Sequence, residues 1–218
     1  MRRSPLFAKA APHPVGRCRL EHADYAGVVL ILPVTAASVF VLVRPHYPEN
    51  VGAVARAMKV MGLTRLVLVK PGRLALPDHE MAKKMAVKST DVLLAARSVD
   101  TLGEALGDCA WAFATTARRG VSGVVSPRRA AVQTADAAEH GASVAFVFGN
   151  EKTGLGQEDL ALCAEAVRIP MAAEQPSINL AQAAQILAYE LFQIGLERRT
   201  EQLSAQLPVR AGSGPPHP

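Results

Sequence analysis

Apolar residues along this chain fall into short unbroken runs separated by amphipathic stretches. Five runs rich in β-branched residues, at 39–43, 65–69, 111–115, 144–148 and 166–169, have the length and continuity of strands buried on both faces of a parallel sheet. Between them the period changes. Residues 51–61 place Val54, Met58 and Met61 on one helical face, and Gly62 follows where a C′ glycine belongs. Residues 79–96 are alanine-rich and helical, 101–106 and 157–163 are short helices, and 180–196 is a long terminal helix. Strands alternating with helices at this spacing predict an α/β fold with a mostly parallel sheet flanked by helices. The folded domain is expected over 36–200, between a flexible N-terminal extension, 1–35, and a tail, 201–218. The Pro- and Gly-rich stretch 207–218 reads as disordered. The apolar run 26–43 follows a basic stretch, as in an export signal, but Pro33, Thr35 and Ser38 interrupt it. A membrane-spanning helix needs about 20 apolar residues, so no membrane span is expected.

Composition narrows the class. Of 218 residues, 50% are hydrophobic and 20% charged, which excludes a wholly disordered or collagen-like chain. The net charge of +5 comes mostly from the ends: residues 1–24 carry +3 and 196–218 carry +1, so the middle is nearly neutral. Local clusters therefore say more about an RNA partner than the overall pI does. Lys83-Lys84-Lys88, Arg118-Arg119 and Arg128-Arg129 are each either phosphate contacts or solvated surface. Aromatics make up only 5%, so nucleic-acid binding is expected to lean on charge and backbone rather than stacking. Cys18, Cys109 and Cys163 are odd in number and widely spaced. That fits a reducing compartment, the cytoplasm, with neither a disulfide framework nor a zinc site.

Familiar catalytic signatures are missing: there is no G-x-S-x-G elbow, no phosphate-binding P-loop and no dinucleotide glycine fingerprint. Asp78-His79-Glu80 reads as a helix N-terminus rather than a metal cluster, and His46 and His140 as surface or loop histidines. Three segments rich in glycine and amides remain. Asn50-Val51-Gly52 through Arg56 follows the first strand, with Asn50 expected as an N-cap, Gly52 as a close backbone contact and Arg56 on the first full turn. An Arg near the carboxyl edge of an open sheet is placed to bind phosphate. Phe148-Gly149-Asn150-Glu151-Lys152-Thr153-Gly154-Leu155 is a strand running into a glycine-bounded loop carrying an acid and a base. Ile169-Pro170-Met171, then Ser177-Ile178-Asn179-Leu180, puts a hydroxyl and an amide just before a helix.

In this order the three segments resemble the SPOUT superfamily of RNA methyltransferases, within it the TrmH/SpoU family, and in it the TrmJ-like branch. The resemblance covers about 38–196. It implies a SPOUT fold with a C-terminal deep trefoil knot, an exception to the unknotted rule. It also implies a homodimer with the site near the interface, and S-adenosylmethionine bent into the knot and held by backbone groups. The matching cofactor positions are Thr115, Thr116 and Ala117, then Gly149, then Ile169, Met171, Ser177, Ile178 and Leu180. No metal is implied. The reaction is methyl transfer to a ribose 2′-hydroxyl of RNA, with tRNA nucleotide 32 as the expected target and another tRNA position or ribosomal RNA as alternatives. A knotted RNA-binding protein without catalysis is the competing class. Arg56 matches the family's essential arginine, either as the base for the 2′-hydroxyl proton or as a clamp on the adjacent phosphate; a neutral arginine is costly. The resemblance has Asn50 ordering the first loop and Glu151 pairing with Arg56 or holding the second loop. Ser177 and Asn179 shape the cofactor turn. Relatives on this branch carry a further C-terminal RNA-binding region, which makes substrate choice less determined than chemistry.

Overall fold

A computed structural model of the chain describes residues 30–172 and 177–206; most of the expected extension and the 207–218 tail lie outside these. The seven strands are β1 (Ser38–Val43), β2 (Arg65–Val69), β3 (Arg97–Val99), β4 (Trp111–Thr115), β5 (Val124–Val125), β6 (Val144–Phe148) and β7 (Glu165–Val167). They form one sheet in the order β3-β2-β1-β6-β4-β7-β5, and every pairing is parallel. The helices are α1 (Pro33–Ala37), α2 (Pro48–Val60), α3 (Glu80–Ala86), α4 (Thr90–Leu94), α5 (Leu102–Leu106), α6 (Pro127–Glu139), α7 (Gln157–Ala161) and α8 (Leu180–Gln206).

Every residue of β1 and β6 is buried, as central parallel strands require. Alternation then sorts their side chains into two cores. Val39, Val41, Val43, Ala145 and Val147 point to one face, where they pack with Leu102 and Ala105 of α5, Leu155, and Leu160 of α7. Phe40 and Phe146 point to the other, with ring centroids 5.8 Å apart. Phe113 and Phe148 extend that cluster at 5.4 and 5.1 Å. Helices α1, α2, α6 and α8 pack against one another.

Several expected elements shift, each for a local reason. Helix α2 starts at Pro48, not at Asn50: proline's fixed φ suits the first helical position, and Tyr47 is the N-cap. Asn50 is therefore the third residue of the helix, and Arg56 lies two turns in rather than on the first. Gly62, at φ 75°, ends the helix region as expected. The stretch 79–96 is not one helix. Val87 adopts φ 51°, and a 3₁₀ turn over Val87–Ser89 separates α3 from α4. The Val-Lys-Ser-Thr-Asp run there is poor in helix formers and rich in residues that favour turns and caps. Strand β7 covers 165–167 rather than 166–169, although the Arg168 amide still donates to the Val125 carbonyl at 3.1 Å.

Helix α6 and the short elements α1, β3 and β5 carry no expectation from the sequence. For α6 a signal was present: Ser126 before Pro127 is a cap followed by an N1 proline, and Ser126 Oγ accepts from the Arg129 amide at 3.2 Å. Helix α1 lies inside the stretch assigned to the extension, yet Leu32 and Val34 are buried. Its polar groups are satisfied locally, since Thr35 Oγ donates to the Leu32 carbonyl at 2.9 Å and Ser38 Oγ to the Val34 carbonyl at 2.7 Å. A Cβ on Gly195 of α8 would come within 2.6 Å of the Leu32 side chain, so α8 and α1 touch through a glycine.

Gly52 is the closest helix contact. A Cβ there would overlap the carbonyl oxygen of Ala82 in α3, a backbone atom that cannot swing away. Gly52→Ala is expected to cost about 2 kcal/mol by overpacking. That lowers Tm by about 4–8 °C for a domain of this size. A Tm within 1 °C of the parent would contradict the contact.

Candidate functional site

The carboxyl ends of β4, β6 and β7 open onto one cleft of about 310 Å³. Its walls come from three loops. Thr115–Arg118 follow β4, Phe148–Leu155 follow β6, and Val167, Ile169 and Met171 leave β7 and face Ser177, Ile178, Leu180 and Ala183 at the start of α8. All nine residues expected at the cofactor, Thr115, Thr116, Ala117, Gly149, Ile169, Met171, Ser177, Ile178 and Leu180, line this cleft, as does Glu151. Asn150, Lys152, Thr153, Gly154 and Leu155 also line it; they stood inside the second motif without an assigned role, and Arg118, from one of the basic clusters, lines it too.

The β6 loop owes its shape to two glycines. At Gly149 a Cβ would collide with the backbone of Gly154 and Leu155, so the chain doubles back onto itself there. Gly154, at φ 69°, makes the return, and its amide donates to the Asn150 carbonyl at 2.7 Å. Asn150 holds the loop from inside. Its Oδ1 accepts from the Lys152 amide at 2.9 Å, and its Nδ2 donates to the Arg44 carbonyl at 2.6 Å. Arg44 in turn pairs with the buried Asp159 of α7. On the neighbouring strand, Thr115 Oγ donates to the Val147 carbonyl at 3.0 Å, and Arg118 Nη2 donates to the Thr153 carbonyl at 3.0 Å. The β4 and β6 loops are thus tied to each other.

One carboxylate ties the three motifs together. Glu151 Oε2 accepts from the His46 amide at 2.9 Å, and its Oε1 accepts from the Tyr47 amide at 3.3 Å and from Asn50 Nδ2 at 2.9 Å. Asn50 Oδ1 then accepts from Asn179 Nδ2 at 3.1 Å. Asn179 Oδ1 accepts from the amides of Ala181 and Gln182 at 2.9 and 3.3 Å, which makes it the N-cap of α8. A negative charge at the first amides of α2 also suits the positive end of that helix. Of the two partners expected for Glu151, it holds its loop and makes no pair with Arg56. Asn50 and Asn179 buttress the cleft from behind and do not line it.

Arg56 is exposed, makes no hydrogen bond or ion pair among the described residues, and lies outside the cleft lining. It stands about 9 Å along α2 from Asn50, at 1.5 Å per residue. The basic clusters divide. Arg118 lines the cleft and Lys83, Lys84 and Lys88 are exposed, whereas Arg128 joins α6 to α8 through Glu197, at 2.5 Å, and Glu190, at 3.4 Å, so it is an internal tie and not a phosphate contact. His79 caps α3, its Nδ1 accepting from the Met81 amide at 3.2 Å. Among the described residues no group of three or more His, Cys, Asp or Glu could hold a metal, and no helix is long and apolar enough to cross a membrane. Burial in the valine-rich core pushes the Cys163 thiol up to about 11, and burial raises Cys109 as well. Neither is an activated nucleophile. Cys18 lies outside the described residues.

A cleft at the carboxyl edge of a parallel sheet, walled by the loops after three of its strands, defines an α/β protein with its ligand site where open parallel sheets carry one. Residues 37–189 match the SpoU rRNA Methylase family, and the chain belongs to it. It is similar to the tRNA (cytidine/uridine-2′-O-)-methyltransferase TrmJ of Yersinia pestis (strain Pestoides F), at 42% identity over 180 residues, covering 82% of this chain and 67% of that one. It also resembles the crystal structure of TrmJ from Z. mobilis ZM4, with TM-score 0.65 and 35% identity, over 79% of this chain and 83% of that one. A third structure, described as giving insights into the 2-OH methylation of C/U34 on tRNA, aligns with TM-score 0.59 and 28% identity, over 74% of this chain and 97% of that one.

Two outcomes are expected from this geometry. Asn50→Ala and Glu151→Ala, whose bonds join at one carboxylate, should each destabilise by about 1–3 kcal/mol in urea unfolding. The double variant should fall short of their sum by at least about 0.5 kcal/mol, because each change removes the other's partner. Strict additivity would show that the chain of hydrogen bonds carries no coupling. For Cys163, a thiol at about 11 is thiolate in roughly one part in a thousand at pH 8. Alkylation of the native protein by iodoacetamide, read by peptide mass spectrometry, should be negligible there and rise about tenfold per pH unit towards 10.

Proposed function

We propose that this protein transfers a methyl group from S-adenosylmethionine to a ribose 2′-hydroxyl of tRNA. The observation that carries this is the cleft formed by the loops after β4, β6 and β7 at one sheet edge, in a chain of the SpoU family. The residues fit the cofactor. Phe148, Leu155, Ile169, Ile178 and Leu180 supply apolar walls for a purine, and the tight return at Gly149, where a Cβ would strike the backbone of Gly154 and Leu155, sets the shape of the β6 wall. When bound, the cofactor supplies an electrophilic methyl on a sulfonium. The chain's part is to hold and orient: Thr115–Ala117 and Ile169–Met171 form the walls, Ser177 supplies a hydroxyl, and Glu151, Asn50 and Asn179 keep the loops in register.

The 2′-hydroxyl is a weak nucleophile and must be aligned with the methyl while it gives up its proton. Arg56 is the residue assigned to that task, as proton acceptor or as the clamp on the adjacent phosphate. Because it lies outside the lining of its own cleft, we propose that the working unit is a homodimer, in which Arg56 of one copy reaches the cleft of the other. The same reading includes the C-terminal knot, a cytoplasmic location and nucleotide 32 as the target.

Unmodified tRNA and ribosomal RNA, incubated separately with methyl-labelled S-adenosylmethionine and then digested for mass spectrometry, test the reading. A 2′-O-methyl pyrimidine at position 32 of tRNA is expected. Labelling at position 34 would correct the site while keeping the chemistry, and labelling of ribosomal RNA alone would overturn the substrate. Cofactor binding with no transfer to either RNA would point to a missing partner or a different substrate, and no transfer with no cofactor binding would favour the non-catalytic class. In the same assay Arg56→Ala should lose at least about 100-fold in kcat, the scale of one acid–base or positioning group, with Tm unchanged. Transfer at the parental rate would remove Arg56 from the mechanism.

A further inference from the structure

Three large aromatic side chains are exposed among the described residues: Trp111, Tyr189 and Tyr47. Trp111 opens β4, at the end of the sheet away from the cleft, and Tyr189 lies near the middle of α8. Tyr47 is different. It caps α2 just beyond the carboxyl end of β1, on the edge where the cleft opens, with 44% of its surface exposed.

Its surroundings are unusually well held for an exposed ring. The Tyr47 and His46 amides both donate to Glu151, the Tyr47 carbonyl accepts from the Asn50 amide at 3.1 Å, and the Pro45 carbonyl accepts from the Gly72 amide at 2.9 Å. The backbone under the ring is therefore pinned from three sides. The His46 ring stands edge-on to Tyr47, with centroids 4.7 Å apart and planes at 85°. Lys152, which lines the cleft, places Nζ 5.7 Å from the centre of the Tyr47 ring and 2.9 Å from His46 Nε2. None of these three residues is needed to bury a core: His46 and Lys152 are themselves exposed.

We propose that Tyr47, steadied by His46 and Lys152, is the stacking surface for the base of the RNA nucleotide whose ribose enters the cleft, with Lys152 on a phosphate beside it. This rests on the assignment of the protein as an RNA ribose methyltransferase. A ribose whose 2′-oxygen points into the cleft carries its base outward to the mouth. An unpaired base there needs an apolar face, and a rigid tyrosine next to a cation is the usual protein answer. Stacking has no edge readout, so this surface accepts either pyrimidine and a purine alike, leaving position on the RNA to be selected elsewhere. The arrangement also departs from the sequence-based expectation that so few aromatics leave recognition to charge alone.

The test compares Tyr47→Ala, Tyr47→Phe and Lys152→Gln in the full chain, with unmodified tRNA transcript as probe. Dissociation constants for tRNA and for S-adenosylmethionine are measured alongside kcat, and Tm reports folding. Loss of a base–aromatic stack of about 1–3 kcal/mol weakens tRNA binding about 5- to 150-fold in Tyr47→Ala. Cofactor affinity should stay within twofold, and Tyr47→Phe should recover most of the loss. Lys152→Gln should lower the slope of log affinity against log salt by about 0.7, the value for one phosphate on a single strand. Unchanged tRNA affinity in Tyr47→Ala, or no recovery with Tyr47→Phe, overturns the stacking surface. Should Tyr47→Ala not fold, the parent protein photo-crosslinked to tRNA carrying 4-thiouridine in the anticodon loop gives the answer. Attachment within the His46–Lys59 peptide supports the proposal and attachment confined to other peptides defeats it. If the parent protein transfers no methyl and binds no tRNA, the functional assignment itself has failed, which is a separate outcome from failure at Tyr47.

Discussion

The structure hangs on one carboxylate. Glu151 accepts hydrogen bonds from two backbone amides at the start of α2 and from Asn50, which accepts in turn from the Asn179 side chain that caps α8. Three segments separated by about a hundred and then about thirty residues meet through that chain of contacts. Remove it and the β6 loop, the first helix and the last helix lose their common reference. A charged acceptor serving three donors is stronger than the same bonds made to neutral groups, and no residue without two acceptor oxygens can serve both helix amides and an amide side chain.

Around that anchor, glycines and a side-chain brace give the cleft its shape. Gly149 and Gly154 turn the β6 loop back on itself, Asn150 braces it from within, and Arg44 with Asp159 fixes its base to α7. The parallel sheet sets all the relevant loops on one edge, since parallel strands deliver every carboxyl end to the same side. Function follows from this division. The loops after β4, β6 and β7 shape the cofactor cleft, whereas the segment after β1 presents Tyr47, His46 and Arg56 to whatever arrives from solvent. Glu151 holds the β6 loop and the segment after β1 in register.

Much of this was legible beforehand. The central strands read correctly because residues buried on both faces of a sheet leave continuous apolar runs, and Gly62 marked the end of α2 because a positive φ is cheap only for glycine. The nine residues that the family resemblance implied at the cofactor share one lining, at the ends of β4, β6 and β7 and the start of α8. Other features were hidden. The break at Val87 was masked by the alanine-rich residues before it, although the Val-Lys-Ser-Thr-Asp run itself favours turns and caps. The edge strands β3 and β5, of three and two residues, are too short to show a period. Helix α6 shows itself in the sequence only by its Ser126-Pro127 start, since its buried face is made of small residues, Ala130, Ala131, Thr134 and Ala135. In the folded chain Arg128 turns out to bind Glu190 and Glu197 of α8.

By itself, the sequence determined the α/β class and the central strands, because those depend on period, which is a local property of the chain; the loops that build the cleft were expected through the resemblance of its motifs to a family. Which groups touch was decided only by the tertiary structure. Glu151 could be read as a partner of Arg56 or as a support for its loop, and only the folded chain sets its carboxylate against Asn50 and the α2 amides. Likewise His46 and Lys152 are a hundred and six residues apart in sequence and 2.9 Å apart in space. Pairings of that kind depend on how the sheet order folds distant loops together, and no periodicity within a segment carries that information.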